Sequence, residues 1–212
     1  MDIIILIFII IPVLFFFYQI VRESTIQKRE TFINWYEIPN KVQANIISTY
    51  PHLSEDDTKK VIRALKEYFL ICNMAKLRMI SMPSQVVDVA WHEFILFTRE
   101  YQEFCHQAFG RFLHHTPAEA MQSRTVAQDG MKRAWRLSCK REGMDPQTAP
   151  RLPVLFSIDS DLNIPDGFKY SLNCTDIDDK YCVGHIGCGG GCAGDGDAGG
   201  DGGGCGGGCG GD

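Results

Sequence analysis

The sequence predicts an all-α protein in three parts: an N-terminal transmembrane helix at residues 1–21, a helical bundle domain at residues 22–182, and a disordered Gly/Cys-rich tail at residues 183–212. Three observations lead to this fold class. An uncharged apolar run opens the chain, apolar residues then recur with helical spacing as far as residue 145, and glycine dominates after residue 183.

The opening run from Ile3 to Val21 contains 19 residues and no charge. At the rise of an α-helix this length corresponds to about 28 Å, close to the ~30 Å hydrocarbon core of a bilayer. No Lys or Arg precedes the run and no small-residue cleavage site follows it, which favours an uncleaved anchor over a signal peptide. Basic residues occur only after the run. The sequence therefore predicts a single-pass membrane protein, with the lipid bilayer as a partner and a cytoplasmic domain.

Capping signals divide the middle of the chain into helices. Ser54 precedes three acidic residues that suit the first turn of a helix, and Ser84 is a second N-cap. Gly110 and Gly143 are candidates for helix C-termini, because glycine readily adopts the left-handed conformation found there. The predicted helices cover residues 25–36, 41–49, 54–82, 84–109 and 116–143. After residue 145 we expect loop with one or two short helical turns packed on the bundle.

The predicted helix at residues 84–109 carries two stripes when its residues are placed 100° apart. One stripe is apolar and includes Trp91, which we expect to be a buried anchor of the core. Beside it lies a polar stripe: Asp88, His92, Arg99 and His106. Asp88 and His92 are four residues apart, so their side chains can meet. A carboxylate that orients an imidazole is typical of metal and acid–base sites.

The sequence leaves the role of this histidine open. His92 and His106 lie about 21 Å apart along a straight helix, so they cannot bind one metal ion. His114 and His115 can join His92 only if the chain folds back from Gly110. The alternatives are a boundary histidine paired to Asp88, a metal or ligand site, and a catalytic role. The candidate polar site is therefore Asp88, His92, His114 and His115, with no catalytic residue assigned.

Cysteines fall into two groups. Three lie in helical apolar patterns, where a free Cys behaves as a small hydrophobic residue: Cys72, Cys105 and Cys139. Four form two identical CGGGC units in the tail: Cys188, Cys192, Cys205 and Cys209. Paired thiolates can bind Zn²⁺, and Zn²⁺ is the cofactor that these residues suggest. The alternatives are intermolecular contacts or cross-linking, and a flexible low-complexity tail without specific chemistry.

The distribution of charged residues argues against nucleic acid as a partner. The net charge is −5, yet residues 22–180 contain all 21 Lys and Arg together with 21 of the 26 acidic residues, so this part of the chain is neutral. Nucleic-acid binding requires a basic surface. We therefore expect no nucleic-acid partner, and a protein partner stays open.

The sequence around the polar stripe resembles a known family. It has an Asp three residues before a Trp-His pair, then a Tyr and a Cys four residues apart, then Phe-Gly: Asp88, Trp91, His92, Tyr101, Cys105, Phe109 and Gly110. This pattern is similar to the glycine-rich domain-containing proteins, and the chain looks like a bacterial-type, membrane-anchored member. Plant members often have a second His where this chain has Phe94, so the resemblance does not carry over a two-His metal site on this helix.

Two functional hypotheses follow from the sequence. The first is a membrane-anchored structural or interaction protein with a flexible Gly/Cys-rich tail. The alternative is a metal-binding or enzymatic module centred on Asp88 and His92. The sequence does not decide whether the protein is an enzyme.

Overall fold

The computed structural model describes residues 2–115, 124–172 and 183. Within them the chain forms seven α-helices and no β-strand. The helices are α1 (Asp2–Trp35), α2 (Asn40–Thr49), α3 (Glu55–Ala75), α4 (Gln85–Ile95), α5 (Thr98–Phe109), α6 (Arg124–Arg141) and α7 (Val154–Asp161). The predicted all-α class is confirmed.

Helix α3 is the centre of the bundle and contacts each of the other six helices. It begins at a capping box, in which Asp57 N–H donates to Ser54 Oγ (3.2 Å) and Ser54 N–H donates to Asp57 Oδ2 (3.2 Å). It ends at Ala75, earlier than predicted, because Lys76 leaves the helix with φ of +60°. Leu77, which follows this helix end, is 85% exposed.

Helix α1 corrects the prediction of a membrane anchor. Among the residues whose side chains the structure describes, no helix combines the length and the apolar character needed to cross a bilayer. Arg22 and Glu23 follow the apolar run directly within the same helix. The predicted transmembrane helix is therefore wrong, and so is the single-pass membrane localisation that followed from it.

The second half of α1 belongs to the bundle. The sequence predicted a separate short helix at residues 25–36, whereas α1 continues unbroken to Trp35. Ile33 is fully buried, and the Phe32 ring lies 5.8 Å from that of Phe104 on α5. This part of α1 contacts α3 and α5.

The predicted single helix at residues 84–109 is two helices. Helix α4 ends at Ile95, and α5 begins at Thr98 after a break at Leu96 and Phe97. The polar stripe of the sequence is consequently divided, because Arg99 and His106 lie on α5 and not on α4.

The C-terminal part of the domain packs on α3 through α6 and α7. Helix α6 ends at Arg141 with Gly143 at φ of +69°, as predicted, while residues 116–123 of the predicted helix lie outside the described residues. The expected short helical turns are α7. Val183 donates a backbone hydrogen bond to Ser171 O (2.9 Å) and is only 4% exposed. The rest of the predicted tail lies outside the described residues.

Candidate metal site

Helix α4 supplies the first two members of the site. Asp88 and His92 lie one turn apart, with Asp88 Oδ2 3.3 Å from His92 Nδ1, so the contact predicted from their spacing is confirmed. Ser84 caps the helix by accepting a hydrogen bond from Val87 N–H (3.2 Å). Asp88 therefore belongs to the first turn of α4, close to a capped helix N-terminus.

A buried carboxylate holds this N-terminus in place. Asp159 on α7 is 3% exposed. It accepts hydrogen bonds from Ser84 Oγ (2.7 Å), Gln85 N–H (2.7 Å) and Val86 N–H (3.2 Å), and from Phe168 N–H (2.9 Å). These bonds satisfy helix-end N–H groups that would otherwise lack partners. Asp159 thus ties the helix that carries Asp88 and His92 to the C-terminal part of the domain.

The segment after α5 supplies the third member. Gly110 ends α5 in the left-handed conformation, with φ of +69°, and the chain turns back there. Two hydrogen bonds in series then fix the returning segment: Trp91 Nε1–H donates to Tyr101 Oη (3.0 Å), and Tyr101 O–H donates to Leu113 O (2.6 Å). Leu113 is two residues before His115, so these bonds position His115 beside α4.

His115 completes a compact cluster. Its Nε2 lies 2.8 Å from Asp88 Oδ1. Its ring centroid lies 4.1 Å from that of His92 and 4.5 Å from that of Trp91, which is itself only 3% exposed. The side chains of His115, Asp88 and His92 are 11%, 23% and 49% exposed. The cluster is therefore anchored on the core at His115 and reaches solvent at His92.

The geometry of the cluster is that of a potential metal site. One ligand atom from each of Asp88, His92 and His115 can be chosen so that all three lie within 4.8 Å of one another. Two imidazole nitrogens and a carboxylate oxygen suit Zn²⁺, and they also form the donor set of mononuclear iron(II) sites. The Asp88 carboxylate contacts one nitrogen of each ring, at 2.8 Å for His115 and 3.3 Å for His92.

A cavity of about 640 Å³ adjoins the cluster. Asp88, His92 and His115 line it together with His114, and its size lies within the range of small-molecule sites, about 300–1,000 Å³. Cys72 also lines the cavity, but burial raises the pKa of its thiol to about 12. The thiol is therefore neutral near pH 7 and is not prepared to act as a ligand or nucleophile.

The structure brings together three of the four predicted polar residues. His114 lines the cavity, but it lies outside the three-residue cluster, and its ring centroid lies 4.8 Å from that of Phe112. The four tail cysteines, Cys188, Cys192, Cys205 and Cys209, lie outside the described residues. The zinc site suggested for them stays a prediction.

Two features of the site were missed from the sequence. Asp159 lies in the stretch after residue 145 that the sequence predicted as loop with short helical turns, and only the three-dimensional structure shows that its carboxylate contacts α4. Arg78 and Arg111 also line the cavity. No local signal distinguishes these arginines from surface residues, because the cavity wall is formed by segments that are distant in sequence.

The comparisons with known proteins identify a family. A family model described as UCP032817-like matches residues 28–190, well over half of the chain, including Asp88, His92 and His115. No curated protein and no solved structure matches the chain. The resemblance to the glycine-rich domain-containing proteins is therefore wrong, because the matching family is a different one. The chain belongs to the UCP032817-like family.

Proposed function

We propose that the protein binds one divalent transition-metal ion, with Zn²⁺ as the best match, through Asp88, His92 and His115. The observation that supports the proposal is the convergence of two imidazoles and a carboxylate within 4.8 Å from two separate segments of the chain. Helical spacing alone explains the contact between Asp88 and His92, but it does not explain the presence of His115. Here, the turn at Gly110 and the Trp91–Tyr101–Leu113 hydrogen bonds hold the third partner in place.

Three protein ligands leave a coordination position of Zn²⁺ free, as in catalytic zinc sites. The cavity lies on the same side as the three ligands, so a small molecule or water in it can reach that position. A metal ion held in this way can polarise a bound oxygen or lower the pKa of a bound water. Such chemistry is the basis of catalysis in metal-dependent enzymes, and it makes a metal-dependent enzymatic activity compatible with this site.

The fit is supported by the surroundings of the ligands. Metal-bound histidines need their ring orientation fixed by neighbouring groups. Trp91 packs against the His115 ring at a 71° interplanar angle, and the capped first turn of α4 holds the Asp88 backbone. Without a metal ion, a hydrogen bond joins His115 Nε2 to Asp88 Oδ1, and His92 Nδ1 lies 3.3 Å from Asp88 Oδ2. Metal binding would displace the proton of the His115 bond.

The test is a Zn²⁺ titration of metal-depleted, full-length protein by calorimetry. The four tail cysteines are first replaced by serine, because thiolates in the tail would compete for the metal. We expect one Zn²⁺ per chain. His115→Ala should weaken binding by more than the about 10–100-fold that loss of a supporting group costs, and His92→Ala should do the same.

The matched control is His114→Ala. This histidine is adjacent to His115 in sequence and lines the same cavity, but it lies outside the cluster. Its replacement should leave the Zn²⁺ affinity nearly unchanged. The proposal is wrong if the tail-cysteine variant binds no Zn²⁺, or if His114→Ala and His115→Ala weaken binding equally.

The other hypothesis from the sequence, a structural or interaction protein, rests on residues 184–212 and stays a prediction. The calorimetric experiment also bears on it, since Zn²⁺ binding that disappears with the four tail cysteines would place the metal chemistry in the tail.

A further inference from the structure

We infer that the cavity beside the metal site binds a small organic anion, with a carboxylate or phosphate group held by Arg78 and Arg111 and an apolar part packed against methionines. The inference rests on the proposed metal site for one wall of the cavity. It adds the chemical class of the ligand, which neither the family nor the cluster itself indicates.

The first step of the argument is the charge of the cavity wall. Among its lining residues in the described part of the chain, the arginines are Arg78 and Arg111, and the single carboxylate is Asp88. Asp88 is already shared between two histidines at 2.8 and 3.3 Å. A divalent ion at the cluster would add two further positive charges. The wall is therefore electropositive, and a cavity focuses such a field on anions.

The second step is the absence of carboxylate partners for these arginines. Two other arginines of the described residues pair with acids: Arg141 contacts Glu67 at 3.0 and 3.1 Å, and Arg151 contacts Glu142. Within the described residues, neither Arg78 nor Arg111 forms an ion pair, as the ion pairs found there involve other side chains. Both cations are therefore available to an external anion.

The third step is that Arg111 is positioned for such a contact. Its Nη2 donates to Lys76 O (2.6 Å) and its Nη1 to Phe112 O (3.4 Å). These neutral acceptors orient the guanidinium without neutralising its charge, and they use only part of its five N–H groups. Planar guanidinium groups bind carboxylates and phosphates through paired hydrogen bonds.

The fourth step concerns the rest of the ligand. The remaining wall contains several apolar side chains: Leu77, Met79, Ile80, Met82, Leu113 and Met131. Methionine side chains adapt to ligands of different shape. An inorganic ion would leave this apolar surface in contact with water. An organic anion with a compact apolar group can contact the arginines through its charged group and the apolar side chains through its apolar group.

The loop that carries Arg78 is held firmly enough to present it. Tyr68 O–H donates to Ile80 O (3.0 Å), Ser81 Oγ–H donates to Ala127 O (2.9 Å), and Arg133 donates to Met79 O. These bonds attach the loop to α3 and α6 on either side of the cavity. The Arg78 backbone N–H donates to Ala75 O (3.1 Å), but its side chain forms no hydrogen bond with the described residues, so replacement of the side chain should not disturb the fold.

The experiment is calorimetric titration of the full-length, tail-cysteine-to-serine protein with benzoate, phenyl phosphate and inorganic phosphate, both metal-free and loaded with Zn²⁺. Benzamide is the neutral control, because it keeps the ring and removes the charge. We expect benzoate and phenyl phosphate to bind at least about tenfold more tightly than benzamide, a ratio that corresponds to the loss of one charge-assisted hydrogen bond. Inorganic phosphate should bind more weakly than phenyl phosphate.

The matched variants are Arg78→Gln, Arg78→Lys and Arg63→Gln. Arg78→Gln should weaken benzoate binding about tenfold while Zn²⁺ affinity is unchanged, and Arg78→Lys should restore part of it because the charge returns. Arg63 is an exposed arginine on α3 outside the cavity lining, and its replacement should have no effect. Arg111→Gln is informative only where its thermal unfolding matches that of the parent protein.

The outcomes separate the two proposals. If Zn²⁺ binds but benzoate binds no better than benzamide, or Arg78→Gln and Arg63→Gln behave alike, the anion site is overturned and the metal site stands. If Zn²⁺ does not bind, the metal site fails, and the metal-free titration decides the anion site: binding that requires Arg78 supports it, and no binding overturns it.

Discussion

Tyr101 joins the core to the segment that carries His115, and its hydroxyl is the point of connection. In Tyr101→Phe the ring and its neighbours remain, including Phe94 at 5.3 Å and Phe112 at 5.4 Å. The hydroxyl that accepts from Trp91 Nε1–H and donates to Leu113 O is lost. One buried donor and one buried acceptor are then left without a partner.

Each such group costs about 1–3 kcal/mol, so we expect Tyr101→Phe to lower the free energy of unfolding by about 2–6 kcal/mol. The free energy is measured by urea unfolding at pH 7 under reducing conditions. Tyr50→Phe is the matched control. Tyr50 O–H makes one hydrogen bond, to Asp166 Oδ1 (3.0 Å), which is not fully buried. Its loss should cost about 1.5 kcal/mol, the low end for a bond to a charged group.

The same variant should also affect the metal site. With Leu113 O released, His115 is held less firmly, and Zn²⁺ affinity should fall about 10–100-fold, as for other groups that support a ligand. A loss of stability below about 1 kcal/mol, or one equal to that of Tyr50→Phe, would refute the role assigned to the hydroxyl. Unchanged Zn²⁺ affinity in a destabilised variant would show that His115 is positioned by other contacts.

Two further predictions concern pH and the C-terminal boundary. Burial raises the pKa of the Cys72 thiol from 9.0 to about 12; because the unfolded chain loses this proton at lower pH, the contribution of Cys72 to stability is intact below about pH 8.5. This contribution should decline by about 1.4 kcal/mol per pH unit between about pH 9 and pH 12. In urea unfolding, the free energy of unfolding of Cys72→Ala should therefore fall less steeply with alkaline pH than that of the parent protein. Identical slopes for the two proteins would contradict the burial argument. Val183 is 4% exposed. Deletion of residues 183–212 should therefore lower the free energy of unfolding by about 1.5–3 kcal/mol more than deletion of residues 184–212. Equal thermal midpoints for the two truncated proteins would show that Val183 adds nothing to the core.

The sequence predicted the part of the site that depends on one helix. Asp88 and His92 are four residues apart, and helical geometry alone brings them together. The position of His115 depended on how the chain continues after Gly110, and the sequence could state this only as a condition. The position of His115 depends on Tyr101, whose hydroxyl donates a hydrogen bond to Leu113 O across 12 residues. No local sequence pattern indicates this bond.

The errors in helix boundaries have a common physical cause. The break at Leu96 and Phe97 contains no Pro or Gly, and the 100° pattern continues across it, so nothing local marks the end of α4. Conversely, α1 continues past the charged Arg22 and Glu23, because Phe32 and Ile33 further along pack on the bundle. Tertiary packing overrode the local pattern in both directions.

The hydrogen bonds of Asp159 affect the order in which the domain can fold during its synthesis. Asp159 and Ser84 are separated by 75 residues, and ribosomes release the chain from its N-terminus. A nascent chain that ends between residues 115 and 159 contains all three proposed metal ligands but lacks the carboxylate that fixes the start of α4. The start of α4 can therefore acquire these bonds only late in synthesis, once α7 has emerged and docked.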